Sequence, residues 1–260
     1  MPRSPSQRRL PPLFAGARRV LFFHAHPDDE SLSTGGLIAR LTDAGATVRV
    51  VTCTRGERGE VVPGPLNWLE GTEELAEYRV GELTRALREL GAGRPCLLGG
   101  ATARAYYRGP GFRYVDSGMA WGPDGRATAV PDAPAGRFAE NAGALDDGRA
   151  AAKRFKPDLI VSYDETGGYG HPDHRWAHVV AKAAAERLGV PFVEVVEPQA
   201  SVARTATAVP IDLERKRRAL AAHATQLTLT GDGYVLSGGQ HHVLEPVEYY
   251  RLSRNPPERR

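Results

Sequence analysis

Two polar clusters hold the side chains best suited to chemistry. The first reads His24-Ala25-His26-Pro27-Asp28-Asp29-Glu30, the second Gly167-Gly168-Tyr169-Gly170-His171-Pro172-Asp173-His174. Imidazole nitrogen and carboxylate oxygen are ordinary zinc ligands, at about 2.0–2.2 Å. His26 and Asp29 stand three apart in a turn, so both can point at one ion, and His174 can close the site from the second cluster. A catalytic zinc keeps three protein ligands and one open position for water. Asp28 is then left beside the ion, free to take a proton from water and return it to a leaving amine. Helix capping is the competing explanation for each residue taken singly. Asp28, Asp29 or Ser31 suits the start of one helix and Asp173 the start of another. Two such clusters together are harder to explain as caps.

The elements around the clusters decide whether they can meet. Short apolar runs predict strands over 19–24, 47–53, 95–98, 158–163 and 191–196. Helical patterns fall over 31–43, 72–90, 138–155, 173–188 and 212–226, several of them closed by glycine. A terminal hairpin is expected over 234–252. Strands alternating with helices imply a Rossmann-like α/β fold, with a mostly parallel sheet covered by helices on both faces. A small C-terminal β-containing appendage completes it. Ligands of such sheets bind outside the carboxyl ends of the strands. Each polar cluster follows the carboxyl end of a buried strand, so neighbouring strands would bring the two face to face. The stretch 99–136 is irregular, and a loop that long is usually functional or mobile.

Composition narrows the alternatives. The chain has 260 residues, 41% hydrophobic and 25% charged, a globular balance that excludes global disorder. Net charge is +3, too small an excess to imply nucleic acid or an anionic membrane as partner. Two cysteines, Cys53 and Cys96, exclude a disulfide-built scaffold and read as reduced, buried thiols. The Arg- and Pro-rich segment 1–18 lacks the apolar core of a signal peptide and reads as a disordered tail. No run approaches the ~20 apolar residues of a membrane span, so the expected location is cytoplasmic. Residues 19–200 are expected to form the catalytic domain, and 201–260 a helix and hairpin that complete it.

His26-Pro27-Asp28-Asp29-Glu30 with the distant His171-Pro172-Asp173-His174 resembles the LmbE/PIG-L family of zinc-dependent N-acetylglucosaminyl deacetylases. The likeness runs on through Val51-Thr52-Cys53-Thr54-Arg55-Gly56-Glu57, Tyr78-Arg79-Val80-Gly81-Glu82-Leu83, Asp116-Ser117-Gly118-Met119 and His223-Ala224-Thr225-Gln226. Within the family the chain is most similar to the mycothiol-pathway branch. The resemblance implies one zinc per chain, with ferrous iron as the alternative, held by His26, Asp29 and His174. Asp28 takes the place of the general base. His171 and Tyr169 match residues near the tetrahedral oxyanion, and Asp173 matches the acid that orients His171. Glu57, Arg79 and Asp116 match positions that hold hydroxyls of a small amino-sugar substrate, N-acetylglucosaminyl-inositol in that branch. The segment 101–113, with Tyr106, Tyr107 and Phe112, is longer than its counterpart and would wall the pocket. A mycothiol S-conjugate amidase, a natural-product deacetylase and a non-catalytic metal- or sugar-binding module are the other readings.

Overall fold

In β1 (Arg19–His24) every residue after Arg19 is buried, and alternate side chains serve two different cores. Val20 and Phe22 point to one face, among Leu37, Ile38, Leu41, Leu83 and Leu87. Leu21 and Phe23 point to the other, among Ala151, Phe155, Ala177 and Val180. A strand with two apolar faces must lie inside a sheet covered on both sides. The computed structural model describes residues 10–105, 112–130, 132, 134–197 and 205–253.

The chain continues through α1 (Asp29–Asp43), β2 (Thr47–Thr52), α2 (Glu74–Leu90) and β3 (Cys96–Leu97). It then forms a small ribbon of β4 (Ala120–Trp121) and β5 (Ala127–Thr128), followed by α3 (Gly143–Phe155), β6 (Leu159–Tyr163), α4 (Pro172–Leu188) and β7 (Phe192–Val196). The remainder is β8 (Thr207–Pro210), α5 (Leu213–Leu220), β9 (Leu227–Leu229), β10 (Gly233–Leu236), β11 (His241–Val243) and β12 (Val247–Leu252). The main sheet has seven strands in the order β3-β2-β1-β6-β7-β12-β8. β3, β2, β1, β6 and β7 are parallel, and β12 runs antiparallel between β7 and β8. From β1 the chain steps outward to β2 and β3, then returns to β6 on the other side of β1. That reversal makes the β1/β6 boundary the switch point, and Val20 pairs with Leu159 across it. The two polar clusters follow these two strands.

Three expected boundaries shift for reasons visible in the hydrogen bonding. The helix read from Phe138 starts at Gly143, because the preceding backbone holds the site: Phe138 N donates to Val115 O and Ala139 N to Asp173 Oδ1. The helix read to Gln226 stops at Leu220, where His223 and Thr225 turn inward to the carboxylates of Glu30 and Glu82. The terminal hairpin is β10–β11 only, since β12 leaves it for the main sheet. The disordered reading of 1–18 does not hold over residues 10–18. Pro12–Phe14 forms a 3-10 turn and Phe14 is fully buried, edge-on to Tyr250 at 5.3 Å. Cys53 and Cys96 are free and buried. No helix among the described residues is long and apolar enough to cross a membrane.

Candidate metal centre and active site

The first cluster sits between β1 and the first turn of α1, and Asp28 occupies the junction at φ 134°. Such a backbone is costly for a residue with a Cβ and is retained only where its surroundings over-determine it. Here they do. Asp28 N donates to Glu30 Oε2 at 3.1 Å, and Glu30 Oε1 is braced by His223 Nε2 at 2.8 Å. From α2, Arg79 Nη2 donates to Pro27 O at 2.8 Å and to Asp28 Oδ2 at 3.2 Å, while Nη1 donates to Gly56 O at 2.7 Å. Gly56 makes room for the guanidinium: its φ is +67°, and a Cβ there would stand 2.1 Å from Arg79 Nη1.

Asp29 faces two rings at once. Its Oδ2 lies 3.3 Å from His26 Nδ1, and its Oδ1 lies 3.2 Å from His174 Nε2. His174 Nε2 is buried yet has no hydrogen-bond partner, despite that proximity. Ligand atoms about 2.1 Å from a tetrahedral ion stand roughly 3.4 Å apart. The spacing and the orphaned nitrogen therefore suit a shared cation better than a hydrogen bond. Ring nitrogens of His26, His171 and His174 all lie within 4.8 Å of one another. His26, Asp116 and Asp173 form an overlapping group of the same kind.

Electrostatics agree with the geometry. Burial alone would lower the His26 pKa, but the carboxylates of Asp116, Asp173 and Asp29 outweigh it and hold the ring well above its ordinary value. Burial likewise opposes ionisation of Asp29, and the facing histidines His174 and His26 overcome it, keeping its carboxyl well below the usual range. A cluster that draws a proton onto a buried histidine is one that a divalent ion would neutralise. Burial pushes Asp28 up to about 6, against the pull of Arg79.

His171 caps α4, its Nδ1 accepting from Asp173 N at 3.1 Å. Burial, with His26 and His174 beside it, lowers its pKa to about 2. The ring is thus neutral, and with Nδ1 accepting, its proton sits on Nε2. The sequence paired the Asp173 carboxylate with His171, and the geometry corrects this. That carboxylate faces His26, with Oδ2 3.2 Å from Nε2, and is anchored by Ser117 N, Ser117 Oγ and Ala139 N. Only the backbone N–H of Asp173 reaches His171. A carboxylate on one nitrogen of an imidazole fixes the ring and leaves the other nitrogen available to an ion.

Tyr169 packs on His174 with centroids 5.1 Å apart and is 38% exposed. Asp116 is buried, with Oδ1 3.7 Å from His26 Nε2. Glu57 Oε2 accepts from Asp116 N at 3.1 Å, and its Oε1 accepts from Arg113 Nε at 3.0 Å. Arg79 departs from its expected part as a hydroxyl contact: it is 2% exposed and both terminal nitrogens serve the protein. Tyr106 and Tyr107 lie outside the described residues. Phe112 packs on Tyr114 at 4.9 Å.

Two neighbours of the site escaped the sequence reading. Tyr163 ends β6, stacks on His174 at 4.2 Å and accepts Ala25 N on its hydroxyl. Its place at the end of a buried strand was a usable signal. Tyr234 on β10 had none. Burial, with Asp28 and Glu197 nearby, pushes its hydroxyl up to about 12. His24 is buried and hydrogen-bonds Thr34 Oγ1 at 2.9 Å and the Tyr163 hydroxyl at 3.3 Å. His178 is held by Tyr163 O at 2.9 Å.

A family model described as PIG-L: GlcNAc-PI de-N-acetylase matches residues 21–185, more than half of the chain. The chain belongs to the PIG-L family. Among curated PIG-L relatives, the 1D-myo-inositol 2-acetamido-2-deoxy-alpha-D-glucopyranoside deacetylase of Mycolicibacterium vanbaalenii is 38% identical over 273 residues, covering 90% of each chain. The Thermobifida fusca deacetylase of the same name is 38% identical over 289 residues, covering 94% of this chain and 95% of its own. Among solved structures, a deacetylase from the biosynthesis pathway of teicoplanin superposes with a TM-score of 0.58 at 21% identity, covering 92% of this chain and all of that one. That likeness establishes the shared LmbE-like fold.

Proposed function

We propose that the chain is a metal-dependent amide hydrolase that removes the N-acetyl group of N-acetylglucosaminyl-inositol, a step of mycothiol biosynthesis in the cytoplasm. The observation that carries this reading is the extent of the likeness. Relatives named for this deacetylation align over 90% of both chains, well beyond the metal motif.

His26, Asp29 and His174 would hold the ion, one per chain and zinc in this reading. Once bound, it would polarise the acetamide carbonyl and acidify water. Asp28 takes the proton of the attacking water and delivers it to the leaving amine. Its carboxylate is held for that task by Arg79 and by the strained turn at its own backbone. His171 offers its Nε2 proton to the oxygen of the tetrahedral intermediate, and the Tyr169 hydroxyl serves the same oxygen. Asp173 keeps His26 oriented. Glu57 and Asp116 accept hydrogen bonds from sugar hydroxyls at the acidic wall of the cleft, while Arg79 supports that wall from the protein side.

The test combines metal analysis with release of free amine. N-acetylglucosaminyl-inositol, simple N-acetylglucosaminides and a mycothiol conjugate are compared at equal metal loading. Preferred turnover of the inositol glycoside is expected. Preference for the conjugate would reassign the chain as an amidase, and stoichiometric metal with no amine from any of them would leave a binding module.

A further inference from the structure

Trp121 is 53% exposed and takes no part in the chemistry above. Indole is a large apolar surface that folded proteins mostly cover, yet this one is fixed in place. The ribbon that carries it is closed by Gly122 N donating to Arg126 O at 2.8 Å and by Thr128 Oγ1 donating to Ala120 O at 3.2 Å. The ribbon is docked on the second cluster, with Ala127 N donating to Tyr169 O at 3.0 Å. Gly170 permits that approach: its φ is +102°, and a Cβ there would stand 3.0 Å from Ala127 O.

The aromatic rings then form a series leading out of the site. Tyr169 lies 5.1 Å from His174, and Trp121 lies 5.8 Å from Tyr169 with the two planes tilted by 37°. Trp121 also stands only five positions after Asp116, whose carboxylate is buried 3.7 Å from His26 Nε2. Trp121 therefore stands beyond Tyr169 in this series, where the outer ring of a substrate with its acetamide at the His26–Asp29–His174 end could reach it. Sites for small polar ligands combine apolar and aromatic walls with a few placed polar groups. Here Glu57 and Asp116 are the polar groups, and a flat exposed ring is the apolar one.

Resting on the deacetylase reading, we propose that Trp121 is the platform for the second ring of the substrate. That ring is saturated and hydroxylated, lays its C–H face on the indole, and keeps its hydroxyls toward water and the acidic wall. Trp121 would thereby set specificity for two-ring over one-ring substrates, without touching the reacting amide.

The experiment uses the metal-loaded full chain and its Trp121→Ala and Trp121→Phe variants. Amine release is measured on N-acetylglucosaminyl-inositol and on N-acetylglucosamine. For Trp121→Ala, KM on the two-ring substrate should rise about three- to tenfold, the scale of one aromatic contact, with kcat kept and one-ring turnover unchanged. Trp121→Phe should retain most of the affinity. Tryptophan emission is titrated in parallel with the two-ring substrate in an Asp28→Asn background, and the response should vanish when Trp121→Ala is added. Equal losses on both substrates would mean that Trp121 only braces Tyr169, and unchanged parameters on both would also overturn the proposal. If the parent enzyme releases no amine from either substrate, the deacetylase reading fails, and the emission titration alone decides for or against Trp121.

Discussion

Arg79 Nη2 lies 3.2 Å from Asp28 Oδ2 and 2.8 Å from the carbonyl of Pro27, so one guanidinium holds both the charge and the backbone of the strained turn. Truncating one partner of a buried pair usually costs about 3–5 kcal/mol, because the other charge is left uncompensated. Arg79→Ala is expected to lose stability on that scale in chemical denaturation. Its residual activity should fall in kcat on large and small substrates alike. A selective rise in KM for the inositol glycoside would return Arg79 to the hydroxyl-binding part implied by its sequence position.

Asp28→Asn should keep the metal and lose turnover by about 10²–10⁴-fold, the usual worth of general acid–base catalysis. Metal analysis and single-turnover rates on the same sample check both halves. A near-normal rate with metal retained would remove Asp28 from proton transfer.

Two metal-site variants should rank in a fixed order. His174→Ala removes a donor and should abolish tight binding. Asp173→Asn leaves the donors in place but weakens the acceptor that faces His26 Nε2 and disturbs its bonds to Ser117 and Ala139, so affinity should fall about 10–100-fold. Chelator competition measures both, and full occupancy in His174→Ala would reject the ligand set.

Tyr234 gives an alkaline signature. Between its ordinary value of 10 and about 12, the folded chain keeps a proton that the unfolded chain has released. Its contribution to stability is whole below pH 10 and fades as pH rises toward 12. Ultraviolet difference titration should show one fewer late-ionising phenol in Tyr234→Phe, whose alkaline loss of stability should be shallower. An unchanged titration would contradict the burial of that hydroxyl beside Asp28.

The alternating strands and helices were legible because β1 and β6 are continuous apolar runs, and the clusters followed because polar residues end those runs. What the residues do to one another was less legible. Arg79 sits on a helix whose inward face is indistinguishable in sequence from a solvated one until Gly56 is seen to clear its path. The partner of Asp173 is decided by a loop, 115–117, that meets α4 only in three dimensions. Trp121 lay in a stretch without periodicity, where a two-residue strand leaves no pattern.

The pairing of β1 with β6 joins Val20 to Leu159, and this has a kinetic meaning. A contact so distant along the chain must repay a large loop-closure entropy before it gains anything, so parallel sheets of this kind assemble slowly. The first cluster is complete within the initial turn of α1 but supplies only two of the three proposed donors, His26 and Asp29. With the proposed ligand set, the ion would have no tight home until β6 has docked and α4 has brought His174 across. Metal capture is then a late event in folding, and chelation during refolding should leave the early intermediates untouched while withdrawing the added stability of the finished protein.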